Sequence, residues 1–237
     1  MTLAPATFPM RIQIAGVADR NEANLLVTAG VDWLAWPLRL PVNAEDVSET
    51  EAADLIRALP PPGRHVLVTY EQTAAATAAF CRKLGVHRVQ LHGPFPLAEL
   101  RRLRELRPDL FVVKSLVVRA GNEAELHELA RQAAPWVDAF VTDTYDPATG
   151  AEGATGRTHD WAISRRLAEQ CSRPLILAGG LNPDNVAAAI RAVRPAAVDS
   201  HTGVEGADGR KDPALVRRFV AAARAAFAEL EGSHAAG

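Results

Sequence analysis

The stretch at residues 177–186, LAGGLNPDNV, ends an apolar segment with two glycines and is followed at once by helix-start signals. Asn182 is a residue type favoured as a helix N-cap, and Pro183 suits the first helical position, where its missing N–H is not needed. Gly179 and Gly180 let backbone N–H groups turn toward one point, and the helix adds the positive end of its dipole there. The stretch therefore predicts an anion cradle, most naturally for phosphate.

A second stretch of the same kind follows. Residues 200–205, SHTGVE, come after the apolar segment 196–199 and place Thr202 and Gly203 just past its end. Two such loops near the C-terminal end of a chain of 237 residues are typical of the (β/α)8 barrel, which binds phosphate at the loops after strands seven and eight. A pair of plain tight turns is the alternative interpretation of these glycines.

Upstream of the two loops, apolar segments alternate with helical patterns. We expect eight strands, at or within residues 11–16, 32–38, 65–70, 87–91, 109–118, 137–143, 174–178 and 196–199. We expect helices at residues 19–29, 48–59, 73–84, 96–106, 122–133, 158–170, 183–193 and 213–230. With no internal boundary, the pattern predicts one (β/α)8 TIM barrel over residues 1–237 with short flexible ends, and an open doubly wound sheet is the alternative.

Composition excludes several classes of protein. The formal net charge of −2 provides no basic field for nucleic acid or an anionic membrane. No apolar run approaches the roughly 18 residues of a membrane helix, and the N-terminus lacks a signal pattern, so we expect a soluble cytoplasmic protein. Cys81 and Cys171 are far apart and lack CxxC spacing, which predicts neither a disulfide framework nor a zinc site. No metal or cofactor is expected, and the protein is predicted to be a monomer or a homodimer that binds a small phosphorylated substrate.

Polar residues at other strand ends are candidates for chemistry, because active sites of such barrels lie at the C-terminal ends of the strands. Gln90 and His92 close strand four, and Asp143 closes strand six. Lys114 lies inside an apolar strand, where an ammonium group needs a partner, so we expect it to reach the barrel mouth or to pair with a carboxylate. Two purely structural interpretations remain open: His92 is a structural histidine, and Asp143 caps a turn with Thr144.

These motifs carry a resemblance that covers essentially the whole chain in order. The matching stretches are QIAG at 13–16, QLHG at 90–93, Asp143, GATG at 153–156, HDW at 159–161, LAGGL at 177–181, NV at 185–186, TGVE at 202–205 and KD at 211–212. In this set the chain resembles the phosphoribosylanthranilate isomerase family, a (β/α)8 barrel of tryptophan biosynthesis. The resemblance implies an Amadori rearrangement, in which an N-linked ribose phosphate opens and becomes a 1-amino-2-ketose phosphate.

The resemblance also implies roles for individual residues. Asp143 is the expected acid that protonates the ring oxygen. The base that removes the C2 proton is a cysteine of strand one in the family, and that position is Ala15 here. The strand ends and the resemblance together predict phosphate contacts from Gly156, Gly179, Gly180, Thr202 and Gly203, substrate contacts from Arg39, Gln90 and Lys114, and a catalytic part for His92.

Three hypotheses follow from the missing cysteine. The protein is an isomerase of this family whose base lies elsewhere, with His92 as the candidate. Alternatively, it is a paralogue that retains the phosphate-binding loops and Asp143 but acts on another phosphorylated sugar or aminosugar. In the third hypothesis it binds a phosphorylated ligand without catalysis.

Overall fold

Eight parallel strands form a closed barrel in which each strand pairs with the next one along the chain and β8 pairs with β1. The structure, a computed structural model, describes residues 8, 10–41, 44–59, 64–144 and 158–235. The strands are β1 (Ile12–Ala15), β2 (Trp33–Pro37), β3 (His65–Thr69), β4 (Arg88–Leu91), β5 (Phe111–Val118), β6 (Ala139–Thr144), β7 (Leu175–Leu177) and β8 (Ala197–Ser200). The predicted barrel is confirmed, and the open-sheet alternative is wrong.

A helix follows each strand and covers the outside of the barrel. The helices are α1 (Arg20–Ala29), α2 (Glu49–Ala58), α3 (Ala74–Leu84), α4 (Leu97–Leu106), α5 (Glu123–Ala133), α6 (Trp161–Gln170), α7 (Val186–Val193) and α8 (Pro213–Ala235). A capping box between Ser48 and Glu51 opens α2, inside the predicted helix at residues 48–59. None of the described helices is long and apolar enough to cross a membrane.

Helix α7 begins later than the sequence predicts, at Val186 instead of residue 183. The Asn182 side chain accepts hydrogen bonds from the backbone N–H groups of Asp184 (2.9 Å) and Asn185 (3.2 Å). These bonds satisfy the local donors with a separate turn, which competes with the first turn of a helix. The Asn185 side chain in turn donates to the Gly180 carbonyl oxygen at 2.9 Å, so the glycine loop is fastened to the start of α7.

The barrel interior is filled at one end and open at the other. At the N-terminal end, Trp33 and Phe111 meet edge to face at a centroid distance of 5.4 Å, and Arg88 lies over the Trp33 ring at 4.9 Å. At the C-terminal end, Ala15, the last residue of β1, and Ala178, directly after β7, present only methyl groups to the cavity. Small side chains at that end leave room for a ligand, which places the candidate site there.

Candidate active site

A cavity of about 400 Å³ opens at the C-terminal ends of the strands. Its floor is made by Ala15, Val68, Gln90, His92, Asp143, Ala178 and Asp199. Gly179, Gly180, Thr202 and Gly203, the phosphate-loop residues predicted from the sequence, line one side. Pro37, Leu40, Ala44, Asp46 and Tyr70 line another part of the wall. The structure therefore brings together most of the predicted site. Gly156, the remaining predicted phosphate contact, lies outside the described residues.

A row of buried polar side chains crosses the floor of this cavity. Gln13 Nε2 donates to Gln90 Oε1 at 2.9 Å, and the Gln90 amide nitrogen meets His92 Nε2 at 2.9 Å. His92 Nδ1 lies 3.0 Å from Asp143 Oδ2 but is out of line for a hydrogen bond. Asp143 Oδ1 accepts from the backbone N–H of Thr144 at 2.8 Å. Asp143 thus caps its own turn with one oxygen and presents the other to the cavity beside His92.

The two glycine loops are packed directly against each other. Gly179 and Gly180 have φ values of 105° and 61°, a left-handed backbone that favours glycine. A Cβ on Gly179 would lie 2.2 Å from Thr144 Oγ1, and a Cβ on Gly203 would lie 1.9 Å from the Leu181 carbonyl oxygen. The Ser200 hydroxyl donates to that same carbonyl at 2.7 Å. Both positions therefore require glycine. The contacts of Gly203 and Ser200 with the Leu181 carbonyl oxygen hold the loops after β7 and β8 together at one edge of the cavity.

The cavity also contains titratable residues to which the sequence analysis assigned no individual role. Asp199, on β8, is 8% exposed, and burial, with a smaller contribution from the charge of Asp143, raises its pKa to about 7. Burial, together with the nearby Lys211 ammonium, lowers the pKa of His201 to about 3. Glu205 accepts from Lys211 Nζ at 2.6 Å. The sequence does contain one indication that Asp199 faces the cavity. It is two residues from Ala197, and alternate residues of a strand share a face, so both face the inside of the barrel.

Comparison with known proteins identifies the family. Residues 14–222 match the family model described as N-(5'phosphoribosyl)anthranilate (PRA) isomerase. The chain belongs to this family.

Sequence relatives and solved structures agree with the family model. The isomerase of Methanosarcina acetivorans is 35% identical over 231 residues, which is 93% of this chain and 95% of the relative. The isomerase of Haloferax volcanii is 38% identical over 217 residues, covering 91% and 94%. The solved isomerase of Thermotoga maritima superposes with a TM-score of 0.77 at 28% identity, covering 91% of this chain and 99% of the other.

The resemblance noted in the sequence implies a cysteine base on strand one. The side chain at that position is the Ala15 methyl group, which lines the cavity. Neither cysteine of the chain replaces the missing thiol. Cys81 is buried within α3, where burial raises its pKa to about 12, and Cys171 follows the last residue of α6. No group of three or more potential metal ligands occurs among the residues that the structure describes.

Two predicted substrate contacts lie away from the cavity. Arg39 is exposed, donates from Nε to Glu49 at 2.8 Å, and lies 3.8 Å above the Phe80 ring. Lys114 is on the helix-facing side of β5, where its ammonium donates to the carbonyl oxygens of Gly93 (2.9 Å) and Ser115 (3.1 Å). Neither is among the described residues that line the cavity, and both side chains are occupied by protein partners.

Proposed function

We propose that this protein catalyses the Amadori-type isomerisation of an N-linked ribose phosphate, with Asp143 as the general acid. The observation that carries the proposal is the shared cavity: the two glycine loops and the Asp143 carboxyl line the same space of about 400 Å³. A solved relative, superposing with a TM-score of 0.75, was crystallised with a reduced 1-(o-carboxyphenylamino)-1-deoxyribulose 5-phosphate. A ligand of this kind has a phosphate at one end and the reacting carbons at the other.

The reaction begins with opening of the sugar ring. A protonated Asp143 donates to the ring oxygen, the bond from that oxygen to C1 breaks, and the nitrogen lone pair forms a C1=N bond. The backbone N–H of Thr144 holds Oδ1 of Asp143 at 2.8 Å, so the carboxyl is fixed before substrate arrives. A preorganised acid of this kind is typically worth 10²- to 10⁴-fold in rate.

The glycine loops anchor the substrate for this step. Phosphate bound by Gly179, Gly180 and Gly203 is held at β7 and β8, and Asp143 lies on the adjacent strand β6. The sugar then extends from the phosphate across the strand ends toward Asp143 and His92. Fixing one end of a flexible substrate converts much of its binding free energy into orientation of the reacting carbons.

The test is consumption of phosphoribosylanthranilate by the purified protein. We expect turnover in the wild type and a decrease in kcat of about 10²- to 10⁴-fold in Asp143→Asn, with KM changed little. Asp54→Asn is the matched control, because Asp54 is exposed on α2, away from the cavity, and forms an ion pair with the exposed Arg57. No consumption by wild-type protein at a concentration equal to that of the substrate would contradict the proposal.

A second candidate function is the same chemistry on an N-linked sugar phosphate whose amine carries no carboxylate. Four carboxyl groups line the cavity, those of Asp46, Asp143, Asp199 and Glu205, and none of the described lining residues is Lys or Arg. Anthranilate brings a carboxylate into this surrounding, whereas an uncharged or cationic amine meets no repulsion. Turnover of a phosphoribosyl derivative of aniline in preference to phosphoribosylanthranilate would support this candidate. Phosphate binding without turnover of either compound would support the hypothesis of a non-catalytic ligand-binding protein.

A further inference from the structure

The isomerisation needs a base for the C2 proton, and Ala15 has none. We propose that Asp199 is that general base. The inference rests on the isomerase function proposed above and adds a residue that takes part directly in the chemistry.

The position of Asp199 suits this role because it lies beside the vacated cysteine position. Asp199 is paired with Gln13 in the register of β8 and β1, and Ala15 is the next inward residue on β1. Neighbouring strands are about 4.8 Å apart, so the Asp199 carboxyl on β8 and the Ala15 methyl group on β1 are neighbours on the inner surface of the barrel. Both residues line the same cavity. The replacement of a thiol by a methyl group on β1 is therefore matched by a carboxyl group on the adjacent strand.

Asp199 also has an oxygen available to take a proton. Among the described residues no group donates a hydrogen bond to Asp199 Oδ1, although this atom is buried. A buried oxygen without a donor is costly for a merely structural carboxylate, because desolvation is not offset by hydrogen bonds. A substrate whose C2–H lies against this oxygen would provide the proton that the oxygen accepts. The burial that raises the pKa of Asp199 to about 7 makes it a stronger base than an exposed aspartate at neutral pH.

The other titratable groups of the cavity are less suited. Glu205 has Oε1 occupied by the Lys211 ammonium at 2.6 Å. The low pKa of His201, about 3, makes its imidazole a weak proton acceptor. His92 has Nε2 against the Gln90 amide at 2.9 Å and Nδ1 against Asp143 at 3.0 Å. Asp46 lies on the loop before α2 with 28% of its side chain exposed, and the experiment below includes it.

The step balances without any oxidant or reductant. Once the ring is open, Asp199 takes the proton from C2, and the C2–H electron pair becomes the C1=C2 bond. The π pair of the C1=N bond moves to the nitrogen, which neutralises the iminium and gives an enaminol. The enaminol then forms C2=O as its hydroxyl releases a proton to solvent, from which the Asp143 carboxylate is protonated again, and the protonated Asp199 supplies the proton that C1 gains. Two carboxyls in one site, one as acid and one as base, are a recurring arrangement when their environments differ.

The experiment uses the full-length protein with phosphoribosylanthranilate. We expect Asp199→Asn to lower kcat by about 10²- to 10⁴-fold, with KM within a few-fold of the wild-type value. In the wild type, kcat/KM should rise with pH through about 7 as Asp199 loses its proton, and Asp199→Asn should lack this limb. A structural role would not move the pH profile. The double variant Ala15→Cys with Asp199→Asn should recover part of the lost activity, because the thiol restores a base on β1.

The outcomes separate this inference from the function on which it rests. Wild-type turnover combined with undiminished kcat in Asp199→Asn would overturn Asp199 as the base while leaving the isomerase function intact. If Asp46→Asn, and not Asp199→Asn, lowers kcat and removes the pH dependence of kcat/KM, the base is Asp46. Absence of turnover in the wild type would contradict the proposed function itself. Thermal unfolding of each variant, and the activity of Asp199→Glu, distinguish a lost base from a lost fold.

Discussion

The backbone of Gly203 lies against the carbonyl oxygen of Leu181, so closely that a Cβ at residue 203 would lie 1.9 Å from that oxygen. We expect Gly203→Ala to force the loops after β7 and β8 apart. If the two loops form one anion site as proposed, the loss of one or two hydrogen bonds at about 1 kcal/mol each should weaken phosphate binding about five- to thirtyfold. Calorimetric titration with inorganic phosphate, together with KM for the sugar phosphate, measures the effect.

The control for this substitution is Gly232→Ala, because Gly232 is in α8 and a Cβ there would meet nothing within 4 Å. Alanine is the better helix former by roughly 0.5–1 kcal/mol, so this variant should be at least as stable as the wild type and bind phosphate equally well. Unchanged phosphate affinity in Gly203→Ala would show that the two loops do not act as one site.

The barrel and its phosphate loops follow from local sequence patterns. Each predicted strand contains or overlaps the observed one, because apolar segments that alternate with capped helices allow few other folds. The glycine loops were also predictable, since a positive φ at Gly179 and Gly180 is a local requirement of the backbone. Helix α7 was misplaced by one turn because the Asn182 side chain bonds to the next N–H groups, a competition that residue type alone does not decide.

The functional surroundings of individual side chains were less predictable, because they depend on partners distant in sequence. Asp199 is the third residue of the short strand β8, and its importance appears only when closure of the barrel pairs it with Gln13 of β1. Arg39 follows β2 much as a substrate arginine would, but Glu49 and Glu71 fix its guanidinium elsewhere. No local pattern in the sequence encodes these contacts between separate elements.

Arg39 leads to a prediction about stability rather than catalysis. Its guanidinium bonds to Glu49 at 2.8 Å and to Glu71 at 2.5 Å and covers the Phe80 ring. Its side chain is 38% exposed, so solvent screening reduces these interactions, and we expect Arg39→Ala to cost about 1 kcal/mol in the free energy of unfolding. Urea denaturation measures that cost. KM for the sugar phosphate should stay at the wild-type value, and a tenfold increase in KM would instead place Arg39 among the substrate contacts.

Asp46 provides a test of which amine the cavity accepts. Its carboxylate lines the cavity and lies 3.7 Å from His201 Nε2. Removing one negative charge several ångströms from a bound anthranilate carboxylate is worth on the order of 1 kcal/mol. We therefore expect Asp46→Asn to lower KM for phosphoribosylanthranilate about fivefold, and to change KM for the aniline derivative much less.

Glu45→Gln is the matched control for Asp46→Asn, because Glu45 neighbours Asp46 on the same loop but accepts from the Arg39 backbone N–H. We expect Glu45→Gln to leave KM unchanged for both compounds. Equal responses of the two compounds to Asp46→Asn would show that the amine does not lie near this carboxylate.

Asp199 should destabilise the fold at the pH where it acts as a base. Burial raises its pKa from an ordinary value of 3.8 to about 7, so the folded protein binds this proton more tightly than the unfolded chain. Its contribution to stability is fully present below about pH 3.8 and is lost as pH rises through about 7. One pKa unit corresponds to about 1.4 kcal/mol. Ionisation of Asp199 therefore lowers the free energy of unfolding by on the order of 4 kcal/mol. We expect Asp199→Asn, which removes the charge and keeps the shape, to raise Tm at pH 8 by several degrees, to raise it by less at pH 5, and to change it little near pH 3.5, where the folded and unfolded states both hold the proton. A lower Tm for Asp199→Asn at pH 8 would mean that the carboxylate is a stabilising structural group and not a desolvated base.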